Sequence, residues 1–285
     1  MKIGILGSSG FIGKNASEFL KKDKNFKVFN FSSYKKYKKS WQKKILKEIR
    51  TIKPDLILNC SASQLLTENK TSIKNLLDSN LYSSILFLHE AVKNRNFKGY
   101  VSFGSKFEFD TNLNYKPLNF YASIKHANDY FLKYFSEKYN ISTVSLKLFD
   151  TYGRNDKRKK ILNLLLNSYK KNKTLAITAG NQYLDFVHVS EISFLIKKIC
   201  IDIKKNKLKG FNMYTVSSEK PIKLKSFVNN LKSILNKDLS IKFGGKKYRS
   251  NEPMIPIKKY KNYPGWKTKK DLMKEIKSIF DGLND

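Results

Sequence analysis

Cysteine is almost missing from this chain of 285 residues: Cys60 and Cys200 are the only two, far apart and outside any CxxC or Cys/His cluster. That excludes a disulfide framework and a thiolate metal site, suits a reducing cytoplasm, and leaves no metal expected. Arginine is scarce as well. Only Arg50, Arg95, Arg154, Arg158 and Arg249 stand among 57 basic residues, whereas readers of bases and phosphates lean on the bidentate guanidinium fork. Acids are few, 23 in all, and the formal net charge is +34. Such a charge invites a nucleic-acid or membrane partner, but the lysines are spread along the whole chain, and the lack of arginine argues against nucleic acid. The densest basic run, Tyr34 to Lys39, is where such contact would fall. No stretch offers about 18 consecutive apolar residues. The opening MKIGILG reads as a strand and not as an export signal, so neither a membrane span nor secretion is expected. His89, His126 and His188 have no carboxylate or serine at triad spacing and read as structural.

What the chain does have is alternation. Apolar runs and amphipathic stretches succeed one another from the first residue, which is the βαβ pattern of a parallel sheet covered on both faces. The pattern predicts strands over Lys2 to Leu6, Lys27 to Phe31, Asp55 to Asn59, Tyr100 to Phe103 and Thr143 to Leu148. It predicts helices from Trp41 to Arg50, capped by Ser40, from Ile73 to Lys93 and from Tyr121 to Tyr139. After Asp150 it loosens into short elements, Leu175 to Thr178, Phe211 to Val216 and Leu239 to Phe243. Pro253, Pro256 and Pro264 precede a last helix, Thr268 to Phe280. The expected fold class is α/β: a Rossmann-type, doubly wound parallel sheet over residues 1–150, with a smaller C-terminal α/β lobe over 151–285. Segments of that lobe are expected to return to the core. No internal repeat or low-complexity linker interrupts it.

Gly7-Ser8-Ser9-Gly10-Phe11-Ile12-Gly13 follows the first strand and opens a helix. A pyrophosphate needs backbone N–H groups and a helix N-terminus within touching distance, and a Cβ in the turn would block its approach. The spacing is GxxGxxG, and its placement between strand and helix points to a dinucleotide. The end of the second strand then reports which one. NAD binders place an acid there for the ribose 2′-hydroxyl, and this chain places Ser32, Ser33, Lys35 and Lys36. NADP(H) is therefore favoured, with NAD(H) as the alternative.

Tyr121 and Lys125 stand four apart on a predicted helix, so an ammonium lies beside a phenol and makes it a usable acid or base. Spacing alone selects nothing here. The chain holds five such pairs: Tyr34 with Lys38, Tyr121 with Lys125, Tyr134 with Lys138, Tyr169 with Lys173, and Tyr263 with Lys267. Position selects Tyr121, because its helix follows the strand that ends in Gly104-Ser105, and ligands of open α/β sheets bind at that edge. There Ser105 would polarise a carbonyl oxygen while Tyr121 delivers or removes its proton.

The glycine turn, Asn80, Ser105, Tyr121 with Lys125, LFDTYG (148–153) and GNQYLDFVHVSEI (180–192) together resemble the extended short-chain dehydrogenase/reductase family, also labelled NAD-dependent epimerase/dehydratase. The resemblance spans nearly the whole chain. It implies that Ser61, Asn80 and Lys125 serve the cofactor, with Lys125 on the nicotinamide ribose. It further implies that the second lobe binds a nucleoside-diphosphate sugar and that the protein is a homodimer through the helices after the third and fourth strands.

The short span from Ser105 to Tyr121 and the segment 243–266 resemble the branch that reduces nucleotide-linked 4-keto sugars. On the substrate side the resemblance implicates Arg249 and Glu252 near the phosphates and ribose; Arg154 and Lys160 are candidates for a further phosphate contact, and Lys106 and Phe107 follow the serine on the substrate side. Two departures stand out. Leu184 replaces a usual arginine, and Lys106-Phe107 replaces the Asp-Glu pair that a dehydratase needs. The expected activity is NADPH-dependent reduction of a 4-keto group on a CDP- or dTDP-linked 6-deoxysugar. A 4-epimerase holding NAD and a non-catalytic NADP-binding protein are the alternatives.

Overall fold

The computed structural model describes residues 1–37, 40–63, 69–235, 239–249 and 252–282, with all their side chains but those of Lys35 and Tyr37. The strands are β1 (Lys2–Leu6), β2 (Lys27–Asn30), β3 (Leu56–Asn59), β4 (Gly99–Ser105), β5 (Ser142–Leu148), β6 (Asp150–Tyr152), β7 (Leu175–Ala176), β8 (Tyr183–Leu184), β9 (Phe186–His188), β10 (Phe211–Val216), β11 (Ile222–Lys223) and β12 (Ile241–Lys242). The helices are α1 (Phe11–Lys21), α2 (Tyr34–Tyr37), α3 (Trp41–Ile52), α4 (Lys70–Leu77), α5 (Ser83–Ala91), α6 (Phe120–Tyr139), α7 (Ile161–Lys171), α8 (Val189–Lys204), α9 (Leu224–Leu235) and α10 (Leu272–Asp281).

Six strands make one parallel sheet in the order β10, β5, β4, β3, β1, β2. The chain runs from β1 outward to β2, then crosses back to β3 and continues outward on the other side. That reversal opens a crevice beyond the carboxyl ends of β1 and β3, which is where such sheets bind ligands. Strands β3 and β4 are buried along their whole length, as befits central parallel strands covered on both faces. One face of the sheet is covered by α1 and α8, whose Leu20, Ile192, Leu195 and Ile199 pack on Ile3, Ile5 and Leu58. The other face is covered by α3, α5 and α6, with Ile45, Phe87 and Leu132 against Ile57 and Tyr100. A third core joins α7, α9 and α10 through Leu165, Phe227 and Phe280. Strand β10 leaves that part of the chain and pairs with β5 in the main sheet.

Two sequence expectations change in detail. The helix predicted from Ile73 to Lys93 is broken by a π-helical turn at Asp78–Tyr82. There the Ser83 hydroxyl donates to the Asp78 carbonyl at 2.5 Å, and Asn80 turns inward to clamp the backbone of Ser63 at 2.8 and 2.9 Å. Helix α3 begins at Trp41 as predicted, but Ser40 makes no side-chain capping bond to it.

Candidate active site

The glycine turn is shaped by close backbone approach. Gly7 has φ +71°, and a Cβ on it would stand 2.6 Å from the Ser61 nitrogen; a Cβ on Gly13 would stand 2.3 Å from the Gly7 carbonyl oxygen. Gly10 closes the turn by donating to the Gly7 carbonyl at 2.9 Å. It then opens α1 with no side-chain cap. The first amides of α1 have no intrahelical acceptor, so the turn offers N–H groups, the positive end of a helix dipole and no side chain in the way. These features fit a pyrophosphate. Ser9 is exposed in the turn, Ile12 lines the cleft beside it, and Phe11 carries the guanidinium of Arg158 at 4.4 Å from its ring centroid.

Beyond the carboxyl ends of β3, β4 and β5 lies an open cleft of about 790 Å³ lined by Ser61, Ser105, Lys106, Phe107, Tyr121 and Lys125, among others. Ser105 ends β4 because the next residues turn into a short 3-10 helix, which Ser105 caps: its Oγ accepts the Phe107 N–H at 3.2 Å. The Ser105 O–H is thereby left to donate. Helix α6 starts one turn before the lysine, capped by Asn119 accepting from Ala122 N–H at 2.9 Å. This places Tyr121 and Lys125 on one side, with the ammonium 5.7 Å from the Tyr121 ring centroid. Lys125 is buried, and burial pushes its ammonium down to about 8, with Glu108 and Asp129 acting in the opposite sense. The structure thus gathers Ser105, Tyr121 and Lys125 at one sheet edge.

Beneath them lies a buried ionic network that sequence reasoning did not foresee. Glu108, fully buried, accepts the Ser105 N–H at 2.6 Å with one oxygen, while the other meets Lys147 Nζ at 2.6 Å and His126 Nδ1 at 3.2 Å. Lys147 also donates to Asp129. Burial pulls the Lys147 ammonium down, but Asp129 and Glu108 more than offset it and hold it above the ordinary lysine range. Burial pushes Glu108 up, yet His126 and Lys147 hold it below the ordinary glutamate range. The ligand atoms of Glu108, His126 and Asp129 lie within 4.8 Å of one another, a spacing that suits a cation, and the lysine ammonium already takes that part. Gly104 permits the arrangement, since a Cβ there would stand 2.7 Å from both Glu108 Oε1 and Lys147 Nζ. One signal was legible: Ser105-x-x-Glu108 is a capping box.

At the tip of β2 the structure differs from the sequence reading. An acid is present, delivered from α3: Glu48 accepts the Ser32 N–H at 2.9 Å and the Ser32 hydroxyl at 2.5 Å. Strand β2 itself carries no acid, as the sequence reads, and α3 brings one to its tip. Lys36 is exposed on α2 and Lys35 lies outside the described side chains, as do Lys38 and Lys39 of the basic run. Ser61 lines the cleft, its hydroxyl donating to Asn59 at 2.5 Å, whereas Asn80 does not line it and instead holds the loop that follows.

On the far side of the cleft stand Lys160, Arg249 and Glu252, together with Arg158, Lys159, Lys246 and Lys247. Burial lowers the Lys160 pKa. Lys106 pairs with Asp150 at 2.5 Å, and Arg249 faces Glu252 at 3.7 Å. Arg154 is not among these residues. It reaches away to α10 and donates to Ser278 at 2.8 and 3.2 Å, so its expected place is taken by Arg158, which the cleft does include. Leu184 lines the wall, and the neighbouring Asp185 is buried as an acceptor for Ser217 and Ser218. The three histidines have structural surroundings: His89 packs on Phe135, His126 is held by Glu108, and His188 caps α8. Burial pushes His188 down to about 4.

A glycine turn at the switch point of a parallel sheet, with serine, tyrosine and lysine at its carboxyl edge, defines an NAD(P)-dependent oxidoreductase of the extended short-chain type. Residues 3–209 match the NAD dependent epimerase/dehydratase family, and the chain belongs to it. It is similar to a CDP-abequose synthase of Yersinia pseudotuberculosis, 28% identical over 274 residues that cover 92% of this chain and 94% of that one. Among solved structures it resembles a dTDP-4-dehydrorhamnose reductase of Clostridium acetobutylicum, with TM-score 0.79, 15% identity and all of both chains covered. It also resembles a UDP-glucose 4-epimerase of Thermotoga maritima, with TM-score 0.81, 14% identity and the same coverage. No described helix is long and apolar enough to cross a membrane.

Proposed function

We propose that this enzyme reduces the 4-keto group of a CDP- or dTDP-linked 6-deoxysugar, a step in making surface polysaccharide sugars. The observation that carries the reading is the meeting of Ser105, Tyr121 and Lys125 with the cationic wall of Lys106, Arg158, Lys160 and Arg249 in one cleft. Such a wall suits a diphosphate, and the similar Yersinia pseudotuberculosis enzyme is named for a CDP-linked sugar. Bound along the glycine turn, the reduced dinucleotide supplies a hydride. Ser105 O–H donates to the ketone oxygen and orients it. Tyr121 gives that oxygen its proton, and Lys125, charged, stabilises the phenolate left behind. Lys125 also holds the nicotinamide ribose. The acids nearest the serine are committed elsewhere, Glu108 to Lys147 and Asp150 to Lys106. That arrangement gives no free acid and base for eliminating water and speaks against a dehydratase.

A second reading, a 4-epimerase that returns the hydride to the other face, draws support from Glu48, since an acid at the tip of β2 suits NAD. Cofactor consumption separates the two. The reductase oxidises one reduced dinucleotide per product, and epimer interconversion without net consumption would favour the epimerase. The protein is further proposed to form a homodimer through α4, the π turn and α6, where Leu77, Tyr82, Tyr130 and Tyr134 are exposed. Light scattering should give twice the chain mass.

A further inference from the structure

We propose that Glu48, reaching in from α3, stands in for the acid that β2 lacks, and that it makes this enzyme select NAD(H) over NADP(H). The inference rests on the dinucleotide lying along the glycine turn. Strand β2 pairs with β1 in parallel, Ile5 opposite Asn30, and the Phe31 N–H donates to the Ile5 carbonyl at 3.0 Å. Ser32 therefore leaves the sheet on the strand next to the one that carries the turn. Its position is fixed from several sides. Phe31 occupies the space above Gly4, where a Cβ would stand 2.4 Å from the ring, and Ser17 of α1 donates to Asn30 at 2.8 Å. Trp41 Nε1 donates to the Ser32 carbonyl at 2.8 Å.

Onto this fixed point α3 brings the Glu48 carboxylate, one oxygen accepting the Ser32 N–H and the other the Ser32 O–H. A carboxylate has about four lone-pair sites, so both oxygens can still accept from ribose hydroxyls. A 2′-phosphate meets the opposite conditions. The two donors that Ser32 would have offered it are already given to Glu48, and the carboxylate repels a second anion. An acceptor from a distant helix thus supplies what the strand sequence does not, and the serine that looked like a phosphate ligand is the carboxylate's anchor.

The experiment is fluorescence titration of the full chain with NADH and NADPH, in the native protein and in Glu48→Gln, Glu48→Ala and Ser32→Ala. Fold is verified by circular dichroism. The native protein should bind NADH at least about tenfold more tightly, the scale of a hydrogen bond to a charged group. Both Glu48 variants should lose most of that preference, through weaker NADH binding and stronger NADPH binding. Ser32→Ala removes one of the two donors that hold the carboxylate and leaves its charge, so it should lose part of the preference; it serves as the second variant if those at Glu48 fail to fold, and an unchanged ratio in it then counts against the proposal. Native preference for NADPH, or an unchanged ratio in folded Glu48→Gln, would overturn the proposal while leaving the cofactor site in place. Failure of either dinucleotide to bind native protein would overturn the cofactor reading and this proposal with it.

Discussion

Arg158 lays its guanidinium 4.4 Å from the ring centroid of Phe11, so the segment after β6 rests directly on the glycine turn. The same guanidinium holds Asp156 at 2.7 Å and the Thr151 hydroxyl at 2.8 Å, which ties the far wall of the cleft to the cofactor side. Cation–π contacts contribute about 0.5–2 kcal/mol. Arg158→Ala should therefore raise the Michaelis constants for nucleotide-sugar and dinucleotide together, each by several-fold. Steady-state kinetics with each substrate varied in turn measures this, and an effect on neither would contradict the coupling.

Tyr121→Phe removes the proton donor and keeps the ring. General acid catalysis of this kind contributes about 100 to 10,000-fold, and turnover should fall by that factor with dinucleotide affinity nearly intact. Tyr134→Phe is the internal control, because that phenol is exposed and bonded to Lys138 at 2.8 Å on the outer side of α6. It should be close to neutral. A Tyr121→Phe enzyme that keeps half its rate would displace Tyr121 from the centre.

Burial holds Lys125 at about 8, below its ordinary value of 10.5. The charged form that supports Tyr121 is present below that value and is lost as pH rises through it, so the rate of reduction should fall on the alkaline side near pH 8. Stability moves the other way. The unfolded chain binds the proton more strongly, so from this group stability rises as pH climbs from about 8 towards 10.5. A rate flat across this range would argue against a catalytic ammonium at Lys125.

Lys147→Ala leaves Glu108 and Asp129 buried without their shared cation. Breaking a buried pair in this way costs about 3–5 kcal/mol, read as a lowered midpoint in urea. Because Glu108 also holds the Ser105 N–H, the folded remainder should turn over more slowly as well.

Two arginines make a matched test of the cleft. Arg249→Ala should raise the Michaelis constant for the nucleotide-sugar far more than that for the dinucleotide. Arg154→Ala should leave both unchanged, since Arg154 serves Ser278 in α10. Equal effects from the two would remove Arg249 from the phosphate site.

The sequence already carried much of this site. The glycine turn, Ser105 and the Tyr121–Lys125 pair were legible because each is local: a turn needs small residues at fixed spacing, and a helix brings positions four apart together. Glu48 and Lys147 were not. Glu48 reaches a serine 16 residues away across a helix–strand junction, and Lys147 finds Glu108 from the neighbouring strand, 39 residues distant. In a chain this rich in lysine, nothing marks one lysine as buried until the sheet register sets Lys147 beside Gly104. Arg154 and Arg158 show the same limit, since four residues decide which of the two faces the cleft.

Reduction at C4 is read most directly by following the hydride. CDP- and dTDP-linked 4-keto-6-deoxysugars are offered with a reduced dinucleotide carrying deuterium at its transferable position, and the products are read by NMR and mass spectrometry. One deuterium is expected at C4 of the sugar for each dinucleotide oxidised. Sugar product without deuterium at C4, or epimers interconverting while the dinucleotide is not consumed, would contradict it.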